Sequence, residues 1–335
     1  MMFACIMVAI WVSTTATAEV GPLFAITVPI NTSAPTHILS LDPLTGNVTD
    51  LFAFTDVPFF PQSQFPTTYD AKGTIYMTVW NPDVSPYWLG VAWYNPYTKE
   101  SGVCQTPELY VYNMGVINMG AMDGQLYVVA TYYNGSTVIG TLDRKTCALS
   151  VTIPYFPAGL DFAGEGTFDT DAGVWYGQCF DTASDWWMVA VDLASGDVRL
   201  FPLGLYQADE LNYDPLRKVV VGWFLREKEH NVGPNSTFFP GTFKYTEKDP
   251  IALAGNGYPI SQFGIQPGGG TFNPITSTNV DLVLDKVAGC WRLMSINPYT
   301  GTVLASPNFN IVLQTWEQGP MVFAYAPAPA APPKH

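Results

Sequence analysis

Histidine and positive charge are both scarce in this sequence. Among 335 residues there are 3 histidines and 14 lysines and arginines, against 28 aspartates and glutamates. The formal net charge of -14 repels nucleic acid backbones and anionic membrane surfaces, so neither is a predicted partner. An excess of acids is typical of a solvated acidic surface, and it also suits the binding of a cation.

Long apolar runs are missing as well. The N-terminal run from Phe3 to Val12 is followed by Ala16-Thr17-Ala18 before Glu19. The run is too short to span a bilayer, and no later segment reaches about 18 uninterrupted apolar residues. Together with the A-x-A site it is typical of a secretory signal peptide, although no Lys or Arg precedes it. We therefore expect residues 1–18 to be removed and the mature chain to be secreted, extracellular and soluble.

The sequence has no CxxC motif and no cysteine at ligand spacing from a histidine, so a zinc site is not predicted. Outside the signal peptide the cysteines are Cys104, Cys147, Cys179 and Cys290. An even number in an exported chain predicts up to two disulfides, and the spacing leaves three pairings open. N-glycosylation sequons also suit an exported chain, and they lie in predicted turns or loops at Asn31, Asn47, Asn134 and Asn235.

What the sequence does contain is a repeat of about fifty residues. Its clearest copy is LMSINPYTGTVL from Leu293, which reads as an apolar strand, a tight turn and a second strand. The last apolar residues before the turns are 53, 48, 49, 52 and 53 residues apart, at Leu41, Tyr94, Leu142, Val191, Phe243 and Ile296. Each interval holds four short strands rich in β-branched and aromatic residues. A near-constant period with four strands per unit predicts a β-propeller.

The two ends of the chain decide the number of blades. The first unit opens at Gly21 without an inner strand, and an orphan strand, QGPMVFAYAP, follows the last unit. Placing the orphan beside the first unit closes the ring and leaves no exposed edge. The sequence therefore predicts an all-β, six-bladed propeller over residues 19–326 with four antiparallel strands per blade. The Pro- and Ala-rich residues 327–335 are expected to form an extended tail.

Some acids at the ends of predicted inner strands have a structural explanation. These strands end at Asp70, Asp169, Asp214 and Asn273, each followed by a tight turn. Asp and Asn side chains satisfy such turns by accepting hydrogen bonds from nearby backbone N–H groups. We therefore expect these four residues to shape turns and not to act in catalysis.

Other acids are predicted to gather at one mouth of the central channel. Glu165 and Glu210 lie four residues before two of the turn aspartates, and Asp209 and Glu317 lie nearby. Carboxylates crowded into a confined mouth bind a hard cation, share a proton, or extend into water. These three alternatives stay open. Histidine chemistry is not predicted, because no histidine lies on a predicted inner strand to serve as the base of a dyad or triad.

The turns of the form xLDPxTGxV resemble those of secreted and periplasmic propellers, a group that includes the YVTN, NHL and gluconolactonase-like families. The resemblance covers Gly21 to Pro327, and its motif specifies blades. Gluconolactonase-like enzymes hold a divalent cation at the channel mouth with a Glu, one or two Asn and an Asp. The resemblance implies Glu165 or Glu210, Asn212 and Asp209 as ligands, with Ca2+ as the candidate ion.

Two classes of function follow. The first is a non-enzymatic extracellular binding, matrix or scaffold protein for a protein, glycan or small-molecule ligand, because propellers serve as rigid platforms. The second is a divalent-cation-dependent hydrolase, lactonase-like or esterase-like, with its site at the channel mouth. The sequons at Asn31, Asn134 and Asn235 are predicted to share the face of that mouth, which favours a small ligand there, whereas Asn47 lies on the opposite face.

Overall fold

The computed structural model describes residues 23–29, 34–56, 59–61, 67–81, 88–105, 116–122, 124–131, 137–153, 160–204, 206–226, 236–247, 249–259, 261–265, 270–307 and 321–326. Within these ranges the chain forms strands and turns, with no helix that could cross a membrane. The predicted signal peptide, residues 1–18, and the predicted tail, residues 327–335, lie outside the described residues.

The first half of the chain supplies three antiparallel sheets, which are the first three blades. Blade 1 begins with β1 (Leu23–Thr27), β2 (Thr36–Leu41) and β3 (Val48–Phe54). Blade 2 contains β4 (Phe60–Pro61), β5 (Thr68–Tyr69), β6 (Ile75–Asn81), β7 (Trp88–Tyr94) and β8 (Ser101–Gln105). Blade 3 contains β9 (Val116–Met122), β10 (Gln125–Thr131), β11 (Thr137–Leu142) and β12 (Leu149–Ile153).

The second half repeats the arrangement and adds the last strand. Blade 4 contains β13 (Leu160–Asp169), β14 (Val174–Asp181), β15 (Trp186–Asp192) and β16 (Val198–Gly204). Blade 5 contains β17 (Tyr206–Asp214), β18 (Val219–Arg226), β19 (Thr237–Phe243), β20 (Ile251–Leu253) and β21 (Tyr258–Pro259). Blade 6 contains β22 (Phe263–Ile265), β23 (Thr271–Asn273), β24 (Thr278–Asp285), β25 (Cys290–Ile296) and β26 (Val303–Ala305), and β27 (Met321–Tyr325) follows it.

The innermost strands form a ring. β27 pairs antiparallel with β1, from Leu23 opposite Tyr325 to Thr27 opposite Met321, so the C-terminal strand lies innermost in blade 1. Successive inner strands β27, β5, β9, β13, β17 and β23 each contact the next, and β23 contacts β27. The fold is therefore a six-bladed β-propeller around a central channel, as the repeat predicts.

The repeated turn motif has a common geometry. An Asp or Asn after the third strand accepts hydrogen bonds from the backbone N–H groups two and three residues later, as in Asp143 with Lys145 at 2.7 Å and Thr146 at 3.1 Å. The same turn occurs in four further blades, at Asp42, Asn95, Asp192 and Asn297. Four residues after this Asp or Asn the backbone has a positive φ. Glycine suits that position best, which explains the TG dipeptides of the repeat.

Blades 2 and 3 are joined by a covalent link as well as by apolar packing. Cys104 on β8 forms a disulfide with Cys147 in the turn after β11, so one of the up to two predicted disulfides is present. Tyr76 and Val91 of blade 2 pack against Leu126 of blade 3 beside it. Of the remaining predicted cysteines, Cys179 is buried on β14 in blade 4, and Cys290 begins β25 in blade 6.

Candidate functional site

The two predicted channel glutamates lie in bulges of adjacent inner strands. In β13 the pairing register shifts between Phe162 and Gly166, and in β17 it shifts between Asp209 and Asn212. Glu165 and Glu210 lie inside these bulges, at equivalent places on the backbone. For residues 161–165 the structure describes only the backbone, so the carboxylate of Glu165 falls outside the described atoms, as does Glu317.

Glu210 is buried and has a strained backbone. Its φ is 51°, in the left-handed region, and its side chain is 2% exposed. Its N–H donates to Oδ1 of Asp209 at 3.0 Å, and its carbonyl accepts from Nδ2 of Asn212 at 2.9 Å. A left-handed conformation costs a residue other than glycine about 1–2 kcal/mol. Strain of this kind persists where the surrounding structure enforces it, and it is common at functional sites.

The carboxyl group of Glu210 meets that of Asp281, which reaches it from β24 of blade 6. Asp281 is 1% exposed, and Nε1 of Trp223 donates to its Oδ2 at 2.8 Å. Burial raises the pKa of Asp281, while hydrogen bonds with Glu210 and Trp223 act to lower it. Two carboxyl groups can hydrogen-bond to each other only when one of them is protonated. Two buried carboxyl groups this close disfavour double ionisation, in line with the raised pKa of Asp281.

A glycine makes room for this pair. Gly270, just before β23, is buried, and a Cβ at this position would overlap Oδ1 of Asp281 and lie 2.5 Å from Oε2 of Glu210. Sequence reasoning missed Asp281, because it lies on a second strand and the predicted acidic cluster is built from inner strands. The available signal was an acid in the middle of the apolar strand TNVDLVLD.

Asp209, Glu210 and Asn212, the described residues of the predicted cation site, do not form a metal site on their own. Asp209 accepts the N–H of Glu210, and Asn212 directs its amide N–H to the backbone. Among the residues that the structure covers, no three His, Cys, Asp or Glu side chains converge as metal ligands. Since Glu165 is not described at its side chain, a Ca2+ site made by all four residues stays a prediction. The alternative of solvated acids is wrong for Asp209 and Glu210, which are 9% and 2% exposed.

The central channel holds a cavity of about 320 Å³ near the turns that follow the inner strands. Its wall includes Tyr69, Phe168, Asn212, Tyr213 and Phe272 from four inner strands. Burial raises the pKa of Tyr69 to about 12, and burial together with the negative charge of Asp169 raises that of Tyr213 as well. Both tyrosines are therefore neutral at physiological pH, and the aromatic part of the cavity wall carries no charge.

The turn aspartates have the structural role expected from the sequence. Oδ1 of Asp70 accepts the N–H groups of Lys72 and Thr74, both at 2.9 Å. Asp169, Asp214 and Asn273 accept backbone N–H groups in the same way. These side chains therefore stabilise the turns that follow the inner strands.

A larger groove lies between blades 2 and 3, on the face formed by the inner-strand turns and the third-to-fourth turns. We call this the turn face, and the cavity the interblade groove. The groove has a volume of about 770 Å³ and shares Asp70, Ala71 and Ala121 with the channel cavity. Its other lining residues are Lys72, Tyr76, Gly124, Gln125, Leu126, Thr141, Leu142, Asp143, Arg144, Lys145, Thr146, Ala148 and Ser150.

The charged side chains of the groove are carried by two turns. Lys72 belongs to the turn between β5 and β6, whereas Arg144 and Lys145 belong to the turn between β11 and β12. Nη1 of Arg144 donates to Oη of Tyr76 at 3.2 Å, and that hydroxyl donates to Oδ2 of Asp70 at 2.9 Å. Cys147, three residues after Arg144, forms the disulfide with Cys104 of blade 2. The bond therefore joins the two blades that form the walls of the groove.

The remaining predicted residues are distributed as follows. Asn47 is exposed on the turn face of blade 1, while Asn31, Asn134 and Asn235 lie outside the described residues. His37 lies on the outside of blade 1, with Nδ1 2.8 Å from Oδ2 of Asp50. It is therefore remote from both the channel and the interblade groove.

No family model matches this sequence, and no curated protein matches it. Solved structures match it through their fold. TolB from Acinetobacter baumannii has a TM-score of 0.56 at 12% identity, covering 92% of this chain and 67% of that one. A proposed 6-phosphogluconolactonase from Bacteroides uniformis has a TM-score of 0.51 at 11% identity, covering 91% and 100%. An oligogalacturonate lyase in complex with manganese has a TM-score of 0.50 at 13% identity, covering 85% and 74%. At these identities the likeness shows the propeller fold alone.

Proposed function

We propose that this protein is a secreted, N-glycosylated binding protein without enzymatic activity, and that its ligand occupies the interblade groove. The observation that carries the proposal is the groove itself. Its volume of about 770 Å³ falls within the roughly 300–1,000 Å³ of most small-ligand sites. A groove with preformed walls binds well, because little entropy is lost in ordering the site.

The chemistry of the groove suits binding better than catalysis. Asp70 and Asp143 each accept backbone N–H groups in turns. Hydrogen bonds from the backbone of Lys145 and Thr146 lower the pKa of Asp143. A carboxylate whose pKa is lowered in this way, as that of Asp143 is, is a poor proton acceptor near neutral pH. Among the described lining residues, these are the only two carboxylates.

Secretion is supported by the Cys104–Cys147 disulfide, because disulfides persist in oxidising compartments. Expression in a eukaryotic secretory host should yield protein in the medium with Glu19 as its first residue. Treatment with an N-glycosidase should lower its mass. Retention of residues 1–18, or an unchanged mass after the glycosidase, would contradict this part of the proposal.

The binding site itself is tested by blocking it. Ala148 is exposed in the groove, so Ala148→Trp should fill the groove without disturbing the core. The matched control is Ala252→Trp, on the exposed outer strand β20 of blade 5. Wild type and both variants would be applied to an array of neutral, cationic and anionic glycans and to a small-metabolite library read by thermal shift. Hits that disappear only in Ala148→Trp support the proposal, whereas hits retained by that variant, or no hits at all, contradict it.

A hydrolase with its site at the channel mouth is the second candidate. The observation that favours it is the buried contact between Glu210 and Asp281, beside the strained bulge of β17. Turnover would be measured on a panel of lactones and esters, with calcium and after chelation, for wild type and Glu210→Gln. Turnover lost in Glu210→Gln but kept in Ala148→Trp would support the hydrolase and displace the binding function.

A further inference from the structure

We infer that the ligand of the interblade groove is a small organic anion, whose carboxylate, sulfate or phosphate group is held by Lys72, Arg144 and Lys145. This inference rests on the proposed binding function, since it names the chemical class of that ligand. It is carried by the distribution of charge in the groove and by what each charged side chain contacts.

The groove contains several positive side chains, although the chain as a whole has a negative net charge. The chain has 14 lysines and arginines and a net charge of -14, yet three of these cations line one cavity. They approach from both walls, with Lys72 on blade 2 and Arg144 with Lys145 on blade 3. An anion in the groove would therefore contact positive charge on two sides. Such an arrangement orients a ligand as well as attracting it.

The two acids of the groove leave these cations available. Asp70 accepts two backbone N–H groups through Oδ1 and the hydroxyl of Tyr76 through Oδ2. Asp143 accepts the N–H groups of its own turn. Within the described ranges, neither carboxylate forms an ion pair within 4.0 Å with Lys72, Arg144 or Lys145, and the charge of Lys145 is only the last of the causes that lower the pKa of Asp143. The cations of the groove thus have hydrogen-bonding capacity left for a ligand.

An arginine at another blade boundary, in the turn between β17 and β18, shows the contrast. At the boundary of blades 5 and 6, Arg217 donates to Oδ2 of Asp214 at 3.2 Å and to Oγ of Ser277 at 2.6 Å, and its guanidinium lies 4.3 Å from the Tyr299 ring centroid. In the interblade groove the hydroxyl of Tyr76 lies between Arg144 and Asp70. Arg144 therefore donates to that hydroxyl and not to the carboxylate of Asp70. Arg217 is paired with a carboxylate of the fold, whereas Arg144 lines the cavity and donates there to a neutral hydroxyl. The N–H groups of a guanidinium bind oxyanions in a bidentate manner.

The surrounding acidity selects for small ligands. At physiological salt, charges more than about 8 Å apart are largely screened. A compact anion inside the groove therefore senses the three cations and the two carboxylates that line it, a balance of one positive charge. A long polyanion would extend beyond the groove and be repelled by a chain with a net charge of -14.

The test is isothermal titration calorimetry with defined probes. Glucuronate, glucose 6-sulfate and glucose 6-phosphate carry the three oxyanions, glucose and glucosamine are the neutral and cationic controls, and heparin is the long polyanion. Arg144→Gln should weaken binding of the anionic probes roughly tenfold or more, since hydrogen bonds to charged groups are the strong ones. Lys72→Gln and Lys145→Gln should each weaken it about two- to fivefold, as expected for exposed charges. Lys218→Gln is the matched control, because Lys218 is an exposed lysine on the same face outside the groove.

The outcomes distinguish a failure of this inference from a failure of the proposed binding function. Binding of one or more anionic probes that falls in the order given and is unchanged in Lys218→Gln supports the inference, and the preferred probe identifies the oxyanion. If neutral glucose binds as well as the anions and Ala148→Trp abolishes it, the groove is a binding site but the inference is wrong. If Lys218→Gln weakens the anions as much as Arg144→Gln, attraction is nonspecific and the inference is overturned. It is also overturned if heparin binds more tightly than every compact anion.

Discussion

The disulfide between blades 2 and 3 should contribute substantially to stability. Cys104 and Cys147 are 43 residues apart in sequence and are 7% and 1% exposed. In the chain-entropy treatment, closing a loop of that length restricts the unfolded chain enough to stabilise the fold by about 4 kcal/mol. At roughly 2 °C per kcal/mol for a large chain, loss of the bond lowers the melting temperature by about 8 °C.

The variant that tests this is Cys104→Ala/Cys147→Ala, with Cys179→Ala as the matched control. Cys179 is 0% exposed and outside the disulfide, so its replacement removes buried sulfur without removing a crosslink. Thermal and urea unfolding of the three proteins would be compared without reductant. The double variant should lose about 4 kcal/mol beyond the loss due to packing. A loss no larger than twice that of Cys179→Ala would refute the reasoning.

Three further predictions concern buried groups. Gly270→Ala should destabilise the fold by about 1–3 kcal/mol in urea unfolding, because its Cβ would overlap the Glu210–Asp281 pair; an unchanged midpoint would contradict this. Burial raises the pKa of Asp281 above 3.8, so its contribution to stability is complete below that pH and is lost as pH rises through the folded pKa. Asp281→Asn should flatten the dependence of the urea midpoint on pH above 4, and an unaltered slope would argue against it. Burial raises the pKa of the Cys179 thiol to about 12, so iodoacetamide at pH 8 should label it only in unfolded protein, as read by peptide mass spectrometry; labelling of the native protein would count against burial.

The sequence predicts the fold well because the repeat is local. Each turn is specified by an Asp or Asn, two or three N–H groups and a residue with positive φ, all within six positions. Asp42 and Gly46 illustrate this, since the side chain of Asp42 accepts the N–H of Leu44 at 2.8 Å and Gly46 has a φ of 74°. Five such turns, with a sixth strand-turn-strand copy in blade 5 where Lys244 replaces the Asp or Asn, recur at a near-constant spacing and count the blades without any knowledge of packing.

The site is less predictable, because its residues come together only across blade boundaries. Glu210 and Asp281 are on different blades, and a strand pattern does not show which side chains meet between sheets. Lys72 and Arg144 lie in two ordinary turns that are close only because blades 2 and 3 are neighbours. The adjacent pair Arg144-Lys145, in a chain poor in positive charge, was the signal in the sequence that could have indicated the groove.

The central claim, that the interblade groove binds the ligand, is tested most directly by a crystal structure of the complex with the tightest-binding compound from the array and the library. The account predicts a ligand between the turns of blades 2 and 3, with its anionic group within hydrogen-bonding distance of Arg144. A ligand found instead beside Glu210 and Asp281 would contradict it and favour the hydrolase.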